Sequence, residues 1–235
     1  MAESIKNLLD TLCEDPGNCR ERLLNAAGLL FAARGLEGVS TRELTRAADA
    51  NLSAIAYYFG GKDNLYKEAV EDAIARAREV VGGTLENLVA DTNRAGNDPR
   101  LLARAAIRFV RDYAHAILSV DPANWRRQLL MREMDSPGEA FDHLYKAVFQ
   151  PHWTAFAGLV GKALGQPPDE TRVMILSSAL FGQCLTFNRN RWVILRNLGW
   201  DEYAPEQIDI IVETILPGIL GALGLPQDEL GAAAA

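Results

Sequence analysis

Residues Ser40 to Lys62 read STRELTRAADANLSAIAYYFGGK, the order expected of two short helices joined by a tight turn. Ser40 or Thr41 can cap the first by accepting a hydrogen bond from an orphan backbone N–H, and Leu44, Ala47 and Ala48 share one of its faces. The run stops at Asp49-Ala50-Asn51. Asp49 stands where the chain must bend sharply, and Asp is one of the few non-glycine residues that enters the left-handed region at modest cost. Asn51 can then cap a second helix, Leu52 to Phe59, with Ile55 and Phe59 four apart on its buried face. Gly60-Gly61 ends it, and Lys62 opens a longer helix.

Two helices with a short turn, the second carrying small polar and tyrosine residues outward, form a helix-turn-helix. In that motif the second helix enters the DNA major groove. The small residues Ser53, Ala54 and Ala56 let its backbone approach base edges, whereas Tyr57, Tyr58 and Lys62 can reach phosphates. Thr41, Arg42 and Asn51 complete the expected DNA-binding set. A plain helical hairpin in an all-α domain would fit the same spacing.

Further residues narrow the choice. Leu24-Asn25-Ala26-Ala27, Leu30 to Gly35, Val39 to Leu44, Ala47-Ala48 and Tyr57-Tyr58-Phe59 with Lys62 follow in one register, so that Arg20 to Val70 resembles the N-terminal DNA-binding domain of the TetR family of transcriptional regulators. Two positions depart from that pattern. Asp49 replaces the usual turn glycine, and Leu52 stands where a basic residue is common, which removes one phosphate contact. Leu129 to Gly224 more loosely resembles a branch of the family that regulates drug and fatty-acid responses, through Met131-Arg132-Glu133, Pro151 and Gly182-Gln183.

The 235 residues, 49 % hydrophobic and 23 % charged, suit one large or two small soluble domains. No apolar run reaches the roughly 18 residues of a membrane span, and Met1-Ala-Glu-Ser lacks a signal pattern, so cytoplasmic residence without a membrane partner is the default. The three cysteines, Cys13, Cys19 and Cys184, form no CxxC pair and lie far from the histidines, so no metal or cofactor is expected and free thiols are. A redox role for Cys13 and Cys19 is the sharper alternative. Net charge is −7, divided as −3 over residues 1–17, +1 over 18–70 and −5 beyond. The one segment that is not acidic is the one expected to meet phosphate, although phosphate-tracking surfaces are usually more basic.

Along the chain, Ile5, Leu8, Leu9 and Leu12 give an N-terminal extension (1–17) helical spacing. Its acidity argues against a DNA-binding arm. Asn18 caps a helix to Arg34, and the helix-turn-helix domain spans 18–70. The helix from Lys62 is expected to end or kink at Gly82-Gly83. Helices follow over Pro99 to Val120, Ala123 to Met134 and from Pro137, then one long helix from Asp169 to Leu198 and a last one from Pro205, kinked at Pro217. No strand pattern appears, so the fold is all-α.

The family resemblance implies that the region 71–230 dimerises and holds a small-molecule effector. The last two long helices look too apolar for one chain to cover. A homodimer through Ser178, Gly182, Ile208, Ile211, Val212, Ile215 and Ile219 is expected, and a two-fold axis suits a palindromic double-stranded operator. Completion of the monomer core is the plain alternative. Polar or aromatic groups on apolar faces nominate Phe109, Tyr113, Arg132, His152, Trp153, Phe181, Gln183, Asn188 and Trp192 for an apolar or amphipathic effector. Catalysis is not expected, because His115, His143 and His152 come without a nucleophile motif, metal spacing or phosphate loop. The expected function is a ligand-responsive repressor. A constitutive DNA-binding protein and a non-catalytic helical scaffold are the rivals.

Overall fold

In a computed structural model the described residues are 19–232, with the side chains of 231 and 232 excepted. The N-terminal extension, with Cys13 and the expected Asn18 cap, lies outside them. The described residues hold helices and no strand. The chain forms two compact units. One takes the described residues up to Arg78 together with Pro122–Val148; the other takes Glu79–Asp121 and the residues from Phe149.

The first unit begins with α1 (Cys19–Arg34), α2 (Thr41–Ala47) and α3 (Leu52–Phe59), followed by the opening turns of α4 (Lys62–Ala95). Leu23, Ala27, Phe31, Leu44, Ile55, Phe59, Leu65 and Ile74 make its core. Into this core the chain returns α6 (Trp125–Asp135) and α7 (Phe141–Leu144), a segment that a division at residue 70 assigns to the second domain. Trp125 is the reason. Its indole is 1 % exposed, lies against Gly28 of α1 and donates from Nε1 to Asn25 Oδ1 at 3.2 Å. Burying a ring of this size is worth about 5 kcal/mol. Arg126 lies 4.5 Å above the ring and pairs with Asp72 of α4. Further along α6, the buried Glu133 accepts from Tyr66 Oη at 2.6 Å and from Gly138 N at 3.1 Å. Burial and that carboxylate push the Tyr66 phenol far up. After α7 a π-helical turn, Tyr145–Phe149, leads to Gln150, and Arg78 Nε donates to its Ala147 carbonyl at 3.2 Å.

The second unit contains the remainder of α4, α5 (Pro99–Leu118), α8 (Gln150–Leu164), α9 (Thr171–Arg189), α10 (Arg191–Leu198), α11 (Pro205–Leu223) and α12 (Glu229–Ala232). Asp98 caps α5 by accepting from Arg100 N at 2.8 Å, with Pro99 at the first helical position. At the other end of α5, Asn188 and Arg191 donate to the Ile117 and Leu118 carbonyls, each at 2.8 Å. Glu229 of α12 closes the unit by accepting from Arg100 and Arg104 at 2.8 and 2.6 Å, and these hydrogen bonds hold its carboxyl below the usual range.

Two long helices differ from the sequence reading in their extent. Helix α4 continues through Gly82-Gly83 to Ala95, because glycine weakens a helix by about 1 kcal/mol per residue without removing a hydrogen bond. The long helix expected from Asp169 divides at Asn190 into α9 and α10. Helix α11 spans Pro205–Leu223 with Pro217 inside it, the extent expected.

Candidate nucleic-acid interface and aromatic cluster

The helix-turn-helix is fixed by local hydrogen bonds that the sequence encodes. Ser40 and Glu43 form a reciprocal capping box: Glu43 N donates to Ser40 Oγ at 3.3 Å, and Ser40 N donates to Glu43 Oε2 at 2.9 Å. Arg34 binds the other oxygen of Glu43 at 2.8 Å. The Ser40 backbone N–H foremost, then Arg34, lowers the Glu43 carboxyl to about 2. Asn51 caps α3, its Oδ1 accepting from Ser53 N at 3.1 Å, and Gly60 ends α3 in the left-handed conformation. Asp49 takes the turn at φ 48°, the one non-glycine positive φ among the described residues. Arg22 of α1 steadies the bend by donating from Nε to the Ala48 carbonyl at 3.2 Å.

These bonds leave one side of the motif open. On α3, Leu52 is 53 % exposed and Tyr57 82 %, with Ser53 and Ala56 also exposed between them. Tyr57 and Tyr58 pack edge to face at 4.9 Å. Ala54 is half-buried and Thr41 exposed. Arg42 and Arg46, four apart on α2, are exposed, and among the described residues no acceptor holds either guanidinium. The sequence reading missed Arg46, although its spacing from Arg42 on one helix face is the signal that finds it. Lys62 is placed differently from an open phosphate contact. Its ammonium donates to the Leu36 and Val39 carbonyls at 3.1 and 3.3 Å, which pins the α1–α2 connection and leaves one N–H to spare.

In the second unit the effector candidates divide. Phe109, Tyr113, His152, Trp153 and Phe181 come together with Phe156, which was not among them. Phe181 is the hub, with Tyr113 at 5.2 Å, Trp153 at 5.8 Å, and His152 and Phe156 at 6.0 Å. Phe109 stacks on Tyr113 at 5.2 Å. Burial drives the Tyr113 phenol up strongly and pushes the nearby Cys184 thiol up to about 12. Gln183 is half-buried on the same helix as Phe181. The other candidates lie elsewhere. Arg132 belongs to the first unit, beside Gly35. Asn188 donates to the Ile117 carbonyl in the last turn of α5. Trp192 is 69 % exposed on α10.

The expected dimer residues divide as well. Ile208, Ile211, Val212 and Ile219 are at most 4 % exposed within their own unit and have no surface to offer a partner, and Ile215 is half-buried. The open faces are instead Met174, Ile175, Ser178, Ala179 and Gly182 of α9 and Ile210, Thr214 and Gly218 of α11. Ser178 Oγ and Thr214 Oγ1 turn back onto the carbonyls four residues earlier, at 2.8 and 2.7 Å, and the exposed Glu213 stands beside Thr214 on α11. A Cβ added at Gly182 or Gly218 would meet nothing within 4 Å.

Comparison with known proteins gives two family matches. Residues 23–69 match "Bacterial regulatory proteins, tetR family", and residues 103–223 match "HTH-type transcriptional dual regulator CecR, C-terminal domain". The HTH-type transcriptional dual regulator CecR of Shigella flexneri is 26 % identical over 199 residues, 83 % of this chain and 87 % of CecR. The HTH-type transcriptional repressor AcnR of Corynebacterium glutamicum is 37 % identical over 68 residues, 29 % of this chain and 36 % of AcnR. The crystal structure of AibR in complex with isovaleryl coenzyme A and operator DNA aligns with a TM-score of 0.56 at 12 % identity, covering 86 % of this chain and 98 % of AibR.

Proposed function

This chain belongs to the TetR family of transcriptional regulators, DNA-binding proteins that are not enzymes, and from that premise we propose that it is a ligand-responsive repressor. It binds a palindromic operator as a homodimer and leaves it when a small apolar or amphipathic effector binds. The observation that carries the reading is the helix-turn-helix itself: capped at Ser40 and Asn51, open along α3, and flanked by the unclaimed guanidinium groups of Arg42 and Arg46. These two arginines, with Thr41, Tyr58 and the free N–H of Lys62, supply phosphate contacts that set register. The second copy covers the open faces of α9 and α11, where Gly182 and Gly218 allow close helix approach.

The effector site is the aromatic cluster around Phe181, with His152 as the group that orients a polar end. AibR was crystallised with an acyl coenzyme A and operator DNA, which supports an acyl thioester or a related amphipathic molecule as the class to try first. Helix α4 is common to both units, so a ligand in the second can bias the spacing of the two recognition helices. Those helices must sit about 34–36 Å apart to enter successive major grooves. A coupling of about 1–3 kcal/mol already alters affinity roughly 5–150-fold.

The test is a titration of fluorescent operator, selected from random-sequence duplex by the purified protein, with isovaleryl and longer acyl coenzyme A in turn. Affinity should fall at least about fivefold at saturation with one of them. Unchanged affinity for every acyl coenzyme A that calorimetry shows to bind the protein would leave a constitutive DNA-binding protein instead.

A further inference from the structure

Side chains read base edges in the major groove in few ways. Arg or Lys pairs with guanine, Asn or Gln with adenine, Asp or Glu with cytosine, and an apolar group meets the thymine methyl. Helix α3, Leu52–Phe59, contains none of the polar types. Of its exposed residues, Leu52, Ser53, Ala56 and Tyr57 fall within about 140° of helix arc, and Tyr58 lies about 100° beyond them. The one small hydroxyl there has its proton committed, because Ser53 Oγ donates to Asn51 Oδ1 at 3.2 Å, the same oxygen that takes Ser53 N, so toward a base it can only accept. The largest exposed side chain at the N-terminal end of α3, the end that meets base edges in this motif, is the branched one of Leu52, with the Ala56 methyl beside it.

The fold does not need Leu52 there. Ile55 and Phe59 bury the inner face of α3 at 2 % and 5 % exposure, whereas Leu52 keeps 53 % of its surface in solvent. A leucine at this point loses nothing by polar desolvation and gains only from an apolar partner.

We infer that Leu52, with Ala56, reads the 5-methyl group of a thymine in each operator half-site. Discrimination along α3 then comes from a methyl group and not from hydrogen-bond pairing. Arg42 and Arg46 add affinity common to all sequences. The inference rests on the DNA-binding reading above and assigns the chemistry that the site recognises.

The experiment uses the full chain and the selected operator, with each thymine exchanged for deoxyuridine, which lacks only the methyl. Burial of one methyl-sized group corresponds to a roughly fourfold change in affinity. Wild type should lose about fourfold at one thymine per half-site, and about fifteenfold when both half-sites are exchanged. Leu52→Ala should bind the thymine operator more weakly by a similar factor and lose nothing further on deoxyuridine exchange. At the same position, 5-methylcytosine should bind more tightly than cytosine by that factor in wild type alone.

A flat deoxyuridine scan on an operator that wild type binds would overturn the methyl-reading inference and leave DNA binding intact. So would full deoxyuridine sensitivity retained in Leu52→Ala. Failure to select any operator would overturn the DNA-binding reading itself, and this inference with it.

Discussion

Replacing Gly28 by Ala should destabilise the helix-turn-helix unit, although the same exchange in a free helix stabilises by about 0.8–1 kcal/mol. A Cβ at Gly28 would lie 2.3 Å from two ring carbons of Trp125 and 2.6 Å from a third. Carbon atoms rest about 3.5–4.0 Å apart, so the indole must retreat by more than about 1 Å. It has little freedom to do so. Asn25 holds its Nε1, Arg126 lies over its face, and Arg126 is itself tied to Asp72. Overpacking of this kind costs about 1–3 kcal/mol, and a lost indole hydrogen bond adds about 1 kcal/mol. Less the gain in helix propensity, the net loss is about 1–3 kcal/mol. Gly83→Ala is the control, since no heavy atom lies within 4 Å of its added Cβ and it should gain about 0.5–1 kcal/mol. Urea denaturation followed by far-ultraviolet circular dichroism reads both. A Gly28→Ala variant as stable as wild type, or more so, would refute the packing of Trp125 on α1 and with it the place of the 122–148 segment in this unit.

Asp49→Gly should raise stability by about 0.5–1 kcal/mol, because glycine adopts φ 48° without a Cβ penalty; a fall in the urea midpoint would mean that the Asp49 side chain itself holds the turn. Glu43 has a folded pKa of about 2 against 4.5, so its contribution is complete above pH 4.5 and drains away as pH falls toward 2. Glu43→Gln should therefore flatten stability against pH in that window, and an unaltered acid slope would contradict the capping box. Arg42→Ala and Arg46→Ala should each reduce the salt slope of operator binding by about one and weaken all sequences alike, and a change in sequence preference would instead make either one a base reader. Ile175→Glu, on the open face of α9, should give the monomer mass in light scattering at micromolar concentration, whereas a persisting dimer would place the interface elsewhere.

The helix-turn-helix was legible because its signals are local. Ser40 with Glu43, Asn51, Asp49 and Gly60 each act within four residues of themselves, and the structure uses each as a cap, box or turn. The extent of α4 was not legible, since a glycine pair reads as a break unless the turns on both sides outweigh it. Periodicity on α11 showed that one face is apolar without showing what covers it; Ile208, Ile211, Val212 and Ile219 face their own core, and Ile210 faces out. The return of Trp125 to α1 joins residues a hundred positions apart, which no local pattern records. The aromatic cluster was half legible. Ring type nominated Phe109, Tyr113, His152, Trp153 and Phe181, but the same criterion admitted the exposed Trp192 and passed over Phe156.

The most direct test of operator recognition by a homodimer is the symmetry of the DNA that the purified full chain selects from a random duplex pool. The enriched sequence should be a two-fold repeat with half-site centres about 10–10.5 base pairs apart or a multiple of that spacing. Its thymines should fall at matching positions in the two halves. A pool that shows no enrichment after repeated selection, or one that yields a single unrepeated half-site, would contradict the account.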